Sequence, residues 1–274
     1  MVFYKSYFYI LVLILFGVWF SVFTLDTNLH IVACDVGQGD AILIQKSTTQ
    51  ILIDSGPNRR VLDCLGNYMP FWDRTLELVI LTHPDTDHSG GMVDVFKSYK
   101  IKTFLTNNLD NPIFVSDYIG VLKKMVGGSG TRVIYPDEGM VIRLGMIYLD
   151  ILHPDKGFVS LKTNDYSVVS LLTYGNFKAI FTGDIEDIVS DKVSTNTKIQ
   201  TVDYIKIPHH GSKNGLSENL LKMSMPKLGV ISLGKNSYGH PHQEVLDLLN
   251  KYKVQILRTD EVGNVELVTD GNGY

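Results

Sequence analysis

Two cysteines among 274 residues are too few for a disulfide scaffold, and neither Cys34 nor Cys64 has the Cys-x-x-Cys or zinc-knuckle spacing of a thiolate metal site. Cys34 falls in an apolar strand and Cys64 in an amphipathic helical stretch, so both read as packed thiols. An oxidising compartment would permit a bond between them, which spacing alone does not decide. Basic residues are not in excess either: the net charge is −4 and the pI near 6.0. That excludes binding to a polyanion through overall charge and leaves only a local basic patch. No short tandem repeat occurs. No Ser-His-Asp order or nucleophilic cysteine context is present, so covalent catalysis by serine or thiol has no support. Charged residues at 20% and hydrophobic ones at 45% mark a folded chain, not a disordered one.

Tyr7 to Leu25 carries no charge and approaches the ~20 residues that cross a bilayer as a helix. Lys5 precedes it, Asp26 follows, and Tyr4, Tyr7, Tyr9 and Trp19 suit the interfaces. This predicts a single-pass anchor in the cell membrane, with the N-terminus inside and the body outside the cytoplasm. A cleaved signal peptide is the alternative, but the apolar core exceeds the usual ~7–15 residues and no small-x-small site follows. The expected division is residues 1–28 as short N-terminus, transmembrane anchor and linker, and residues 29–274 as one globular domain.

Within that domain, strands and helices alternate. Strands are expected at Leu29 to Cys34, Ala41 to Gln45, Ile51 to Asp54, Leu76 to Leu81 and Ile101 to Leu105, with helices at Arg60 to Tyr68, after Met92 and at Val115 to Met125. Short antiparallel strands then lead to His153. The second half adds Tyr166 to Thr173, Ala179 to Thr182, Tyr204 to Ile207 and Leu228 to Leu233, interleaved with helices. The pattern predicts an α/β domain of mixed sheets covered by helices.

The most informative stretch is Leu81 to Gly91, L-T-H-P-D-T-D-H-S-G-G, which sets His83, Asp85, Asp87 and His88 within six residues behind an apolar strand. Imidazoles and carboxylates delivered together at a strand end suit a divalent metal. Ser89-Gly90-Gly91 is expected to let the backbone turn into the next helix. Three further strand ends carry metal-type residues: His153, Asp184, and His209 with His210. Asp35, Gln38, Asp40 and Asp54 also lie at turns or strand ends, where capping of backbone amides is the plain alternative.

The cluster resembles the H-x-H-x-D-H signature of the metallo-β-lactamase superfamily, with Asp85 at the second histidine. H-P-D-x-D-H-x-G-G resembles the variant in the hydrolase-like domain of the ComEC competence-protein family. D-V-G-Q-G-D-A and L-I-D-S-G before it, and F-T-G-D, H-H-G-S and S-Y-G-H-P after it, stand in the same order as in that family. The resemblance covers Leu29 to the C-terminus and implies an α/β/β/α sandwich with its polar loops gathered along one edge. It implies two divalent ions, zinc or manganese, with single occupancy as the alternative. His83 and Asp85 would hold the first ion; Asp87, His88 and one histidine of the 209–210 pair would hold the second; Asp184 would bridge them. His210 is taken as the ligand and His209 as a contact to substrate or metal-bound water, with the reverse open. The first ion's third ligand is assigned to His153, since Asn164 and Asp165 occupy the region where relatives carry a histidine. Asp35, Gln38, Asp40, Asp54, Asn164 and Asp165 are expected behind the ligands.

Such a site implies hydrolysis by metal-bound hydroxide, with Asp87, His209 and His240 nearest the chemistry. Lys206, Lys213 and Lys235 crowd the loops bearing the later histidines and give local positive charge. Together with Ser212 and Tyr238 they suggest contacts to a phosphodiester, DNA being preferred. The expected protein is a membrane-anchored nuclease or phosphodiesterase acting outside the cytoplasm. A cell-envelope phosphoester hydrolase and a non-catalytic metal-binding module of a DNA-uptake machine are the alternatives. Transport would require a separate channel protein.

Overall fold

Alternation along the strands and helical period between them sort the apolar side chains into three buried layers. The computed structural model describes residues 2–23 and 26–274, with side chains described for 6–19 and from 26 onward. After α1 (Val2–Phe23), the first half runs β1 (Leu29–Ala33), β2 (Ile42–Lys46), β3 (Thr49–Ile53), α2 (Arg60–Tyr68), β4 (Thr75–Leu81), the single turn α3 (Thr86–Ser89), α4 (Met92–Ser98), β5 (Lys100–Thr106), α5 (Asp117–Gly128) and β6 (Arg132–Ile134). The second half runs β7 (Val141–Leu144), β8 (Ile147–His153), β9 (Val169–Tyr174), β10 (Phe177–Phe181), α6 (Asp187–Ser194), β11 (Tyr204–Lys206), α7 (Glu218–Ser224), β12 (Leu228–Ile231), α8 (Gln243–Lys251), β13 (Gln255–Arg258), α9 (Thr259–Val262) and β14 (Val265–Thr269).

The strands form two seven-stranded sheets, β14-β1-β2-β3-β4-β5-β6 and β13-β12-β11-β10-β9-β8-β7. Each is antiparallel at one side and parallel at the other: β3 to β6 are parallel in the first sheet, and β10 to β13 in the second. Inward side chains of both sheets, such as Ile31, Ile53, Leu172 and Phe181, meet in a central core. The outer face of the first sheet packs on α2, α4 and α5 through Val61, Val95 and Leu122. The outer face of the second packs on α6, α7 and α8 through Val189, Leu220 and Leu249. The layering is thus helix, sheet, sheet, helix. The parallel strands of both halves end on the same side, where β4, β10 and β11 release the loops bearing His83, Asp184 and His210.

Among the described residues, no helix is long and apolar enough to cross a membrane. The described side chains of α1, from Ser6 to Trp19, are exposed, and the Tyr4, Lys5 and Leu25 side chains that delimit the expected span lie outside the described residues.

Cys34 and Cys64 are not separate packed thiols. They form a disulfide with Cα atoms 5.9 Å apart, because α2 crosses the outer face of the first sheet beside the end of β1. The bond closes a loop across a sequence separation of 30. A loop of that size constrains the unfolded chain, so a Cys34→Ala/Cys64→Ala variant is expected to lose about 3–4 kcal/mol, measured as a lower urea midpoint than that of the disulfide-bonded wild type in the absence of reductant.

Candidate metal centre

Three backbone hydrogen bonds to two sequence-distant turns hold the loop after β4 in place. Asp40 N–H donates to the Asp87 carbonyl (3.1 Å), Ser55 N–H to the His88 carbonyl (2.8 Å), and Gly91 N–H to the Gly56 carbonyl (3.0 Å). The glycines serve this closeness. A Cβ on Gly90 would lie 2.2 Å from the Pro57 carbonyl oxygen, while Gly90 and Gly91 keep ordinary helical φ of −57° and −84°. Close approach, not a turn closed to other residues, requires glycine there. The expected ligand loop is itself partly helical, with Asp87 and His88 on α3.

Asp87, His88, Asp184 and His210 offer ligand atoms that all lie within 4.8 Å of one another. Asp184 Oδ2 is 3.2 Å from both His88 Nε2 and His210 Nε2, and Asp87 Oδ2 is 3.3 Å from His210 Nε2. The other nitrogen of each ring is engaged: His88 Nδ1 with Asp54 Oδ2 (2.8 Å), His210 Nδ1 with the Ser232 carbonyl (2.7 Å), and His83 Nδ1 with the Thr82 and Ser167 hydroxyls (3.1 and 3.2 Å). The Nε2 atoms of His83, His88 and His210 are buried without a hydrogen bond. Rings held at Nδ1 with Nε2 left over are oriented as metal ligands are. Charge points the same way: among the described residues, Asp40 and Asp184 share the fixed cation Lys206, while the charge partners of Asp54 and Asp87 are imidazoles, those of His88 and His210.

The donor set therefore fits one divalent ion between Asp87, His88, Asp184 and His210. The neighbouring position is poorer. His83 Nε2 lies 3.7 Å from Asp85 Oδ2, which also accepts a hydrogen bond from Thr163 Oγ1 (2.9 Å). His153 does not join them: its Nε2 bonds the Asp165 carbonyl at 2.7 Å and its ring packs on Phe158. Asn164 instead borders the cavity over the ligands, with Nδ2 at 3.4 Å from His209 Nε2.

Burial opposes charge throughout the metal-free centre, and at Asp87, Asp184, His88 and His210 neighbours overcome it. His88 and His210 hold Asp87 below the usual carboxylate range, and together with Lys206 they hold Asp184 well below it. Asp184 and its neighbours lift His88 well above the ordinary imidazole value and His210 to about 9. Burial alone dominates at His83, driven well down, and at His153 and His240, each lowered to about 4. His209 is lowered too.

Several expected site residues lie elsewhere. Lys206 contacts no open surface: its ammonium is buried against Asp40, with Asp184 Oδ1 at 3.2 Å and the Gly183 carbonyl at 3.0 Å. The strand that carries it is buried at every position, so the side chain points inward and serves Asp184 rather than substrate. Asp35 pairs with Arg60 and accepts from Gly37 N–H, apart from the ligands. The Asp165 carboxylate accepts from Ser160 Oγ instead of backing a ligand. Ser212 is buried, its N–H bonded to the His209 carbonyl, as a turn residue is. Lys213 and Lys235 are exposed on the loops after His210 and before Tyr238. Asp40, Asp54 and Gln38 do lie beside the centre: Asp40 is 3.8 Å from His88 Nδ1 and 3.7 Å from His210 Nδ1, and Gln38 borders the cavity. His209 and His240 line that cavity with their rings 5.6 Å apart. Asp54, His209 and His210 adopt positive φ of 59°, 49° and 52°, the strained backbone that non-glycine residues accept where a site dictates side-chain direction.

Reading the sequence missed Ser167 and Thr82. Ser167 Oγ accepts from Asp184 N–H at 3.0 Å while touching His83, and Thr82 Oγ1 donates to Asp54 at 2.7 Å. Nothing in their local sequence announces either contact. For Lys206, expected at substrate, the available signal was its place in the apolar strand Tyr204 to Ile207.

The sandwich and this cluster at its edge are those of the metallo-β-lactamase superfamily, to which the chain belongs: residues 34–235 match it. Among curated proteins, it is 29% identical over 257 residues to ComE operon protein 3 of Bacillus subtilis, covering 85% of this chain and 32% of that protein. It is 30% identical over 238 residues to Recombination protein 2 of Haemophilus influenzae, covering 85% and 28%. The chain thus spans about a third of the length of these relatives. The metallo-β-lactamase fold protein YhfI from Bacillus subtilis superposes with a TM-score of 0.60 over 88% of this chain and 99% of its own, at 13% identity, a likeness of fold.

Two outcomes follow from the buried charges. Lys206→Met strands Asp40 and Asp184 without their cation and should cost about 3–5 kcal/mol, with Asp40→Asn/Lys206→Met recovering part of the loss in urea unfolding. His210, raised to about 9, stabilises the metal-free fold fully below its ordinary pKa near 6.5, and that contribution fades as pH rises through about 9. Metal needs the neutral ring, so its affinity should climb over the same interval with proton release, measured by chelator competition across pH.

Proposed function

We propose that the chain is a membrane-anchored, metal-dependent phosphodiesterase that cuts DNA outside the cytoplasm. The observation that carries this reading is the shared position of Asp184 Oδ2, 3.2 Å from the Nε2 atoms of both His88 and His210. When bound, zinc or manganese supplies Lewis acidity toward a phosphoryl oxygen and acidifies water. The chain's own residues do the rest. Asp184 and Asp87 hold the ligand edge in register with His88 and His210, while Lys206 fixes Asp184 Oδ1 so that Oδ2 faces the centre. His209 and His240, both held neutral by burial, border the cavity where a proton must pass to the leaving oxygen. Lys213 and Lys235 stand on the flanking loops, where they suit backbone phosphates.

Location outside the cytoplasm is supported by the Cys34–Cys64 disulfide, which persists in oxidising compartments. The uncharged, exposed run Tyr7 to Trp19 of α1 supports an anchor. The relative named for recombination and the resemblance to competence proteins support DNA as substrate, for which a separate channel protein would be the partner.

The full chain in detergent, repleted with manganese or zinc, should cleave a single-stranded oligonucleotide and bis(4-nitrophenyl) phosphate. Asp184→Ala should lower kcat/KM roughly a thousandfold, as expected when several kcal/mol of charge stabilisation are lost. Stoichiometric metal with no cleavage of either compound would defeat the proposal in favour of a metal-binding module. Turnover of choline or teichoic-acid phosphoesters but not DNA would reassign the substrate to the cell envelope.

A further inference from the structure

A second cleft, of about 490 Å³, opens beside the metal centre between the Pro84–Asp87 turn and the Ile113–Ser116 segment. It is continuous with the cavity over the ligands, of about 210 Å³, since Gln38, Asp85, Asp87 and Tyr238 border both. Its walls are mixed: Pro57, Pro84, Ile113 and Val115 offer apolar faces, and Gln38, Thr86, Ser116 and Thr163 offer polar edges between them. Val115 and Tyr238 are 82% and 69% exposed at its mouth, open to a group that enters. Among the described residues, no lysine, arginine or histidine lines this cleft, and its only charged groups are Asp85 and Asp87.

Those charges decide what can lie there. A backbone phosphate entering the cleft would find two carboxylates and no cation, since Lys213 and Lys235 are exposed on nearby loops but do not line it. A flat, uncharged, aromatic group with polar edges suits this mixed lining: the proline, Ile113 and Val115 side chains can take its faces, the Tyr238 ring offers a stacking surface, and the Gln38 amide and the Ser and Thr hydroxyls can meet its edge. In a nucleic acid that group is a base. It can leave the strand to enter a side cleft only when it is unpaired.

We infer that this cleft seats one unpaired base next to the scissile phosphate and so selects single-stranded over duplex DNA. The inference rests on the phosphodiesterase reading above and names the form of substrate that reading leaves open. Val115 and Tyr238 are its specificity-determining residues.

The test uses the full, metal-loaded chain and three probes: a single-stranded oligonucleotide, the same strand with abasic residues, and the duplex. Cleavage is followed as kcat/KM and binding by fluorescence anisotropy. One stacked base contributes ~1–3 kcal/mol, so the wild type should favour the base-bearing single strand over the abasic one about tenfold or more. Val115→Asp and Tyr238→Ala should each bring that ratio close to unity, mainly through KM, while Val115→Ile retains it. Unchanged urea midpoints show that the variants are folded. If DNA is cut but both variants keep the wild-type ratio, the cleft assignment is overturned and the hydrolase stands. If nothing is cut but the single strand binds in preference to the abasic one and Val115→Asp removes that preference, the cleft stands and hydrolysis falls. Absence of both cleavage and base-dependent binding overturns the assignment as well.

Discussion

The buried carboxylate of Asp184 is the constraint on which the rest depends. It sits at the end of β10 with one oxygen committed to the Lys206 ammonium and the other facing two imidazoles. A carboxylate with almost no exposed surface is tolerable only if cations surround it. Lys206 from the neighbouring parallel strand supplies one, and the arrangement of His88 and His210 calls for more. In the metal-free chain, protons on those rings meet the demand; a divalent ion would meet it better, with both nitrogens already aimed. Asp40 shows the same logic one layer back, pressed against Lys206 and close to the Nδ1 atoms of both histidines.

The fold makes that convergence possible by doubling one scheme. Each sheet carries an antiparallel half, which braces it, and a parallel half, whose strands release loops on the same side. Packing the two sheets through a single apolar core brings those loops face to face along one edge. The D-V-G-Q-G-D and D-S-G turns, from the antiparallel half, are tied by backbone hydrogen bonds to the turn bearing Asp87 and His88. Precision therefore comes from elements that never touch the metal position. The two candidate positions are unequal for the same reason: α3 is tied to two turns, whereas Asp85 stands at its start, bonded to Thr163 from a loop of the other half.

Much of this was legible. Runs such as Ile51 to Asp54 and Leu76 to Leu81, and the spacing of Val61, Leu62, Leu65 and Tyr68, show strands and helices because burial of one face or both imposes period on sequence. The ligand-rich turn and the sequence-distant F-T-G-D and H-H-G-S strings were recognisable by residue type. His153 was misleading, because a histidine at a strand end looks the same whether it faces a metal or a backbone carbonyl; here it faces Asp165. Lys206 misled in the opposite way. A lysine beside two histidines suggests a surface cation, yet its place in a strand buried on both faces turns the charge inward.

By itself, then, the sequence determined which segments would be strands or helices and which loops carried metal-type side chains, since these depend on local period and composition. It also determined that these loops emerge from strand ends. Only the tertiary structure decided which histidine of the 209–210 pair faces Asp184, that Asp40 and Asp184 share one lysine, and that Cys34 reaches Cys64. Each of those outcomes is a distance between residues far apart in the chain, fixed by how two sheets twist and pack, and local sequence carries no record of it.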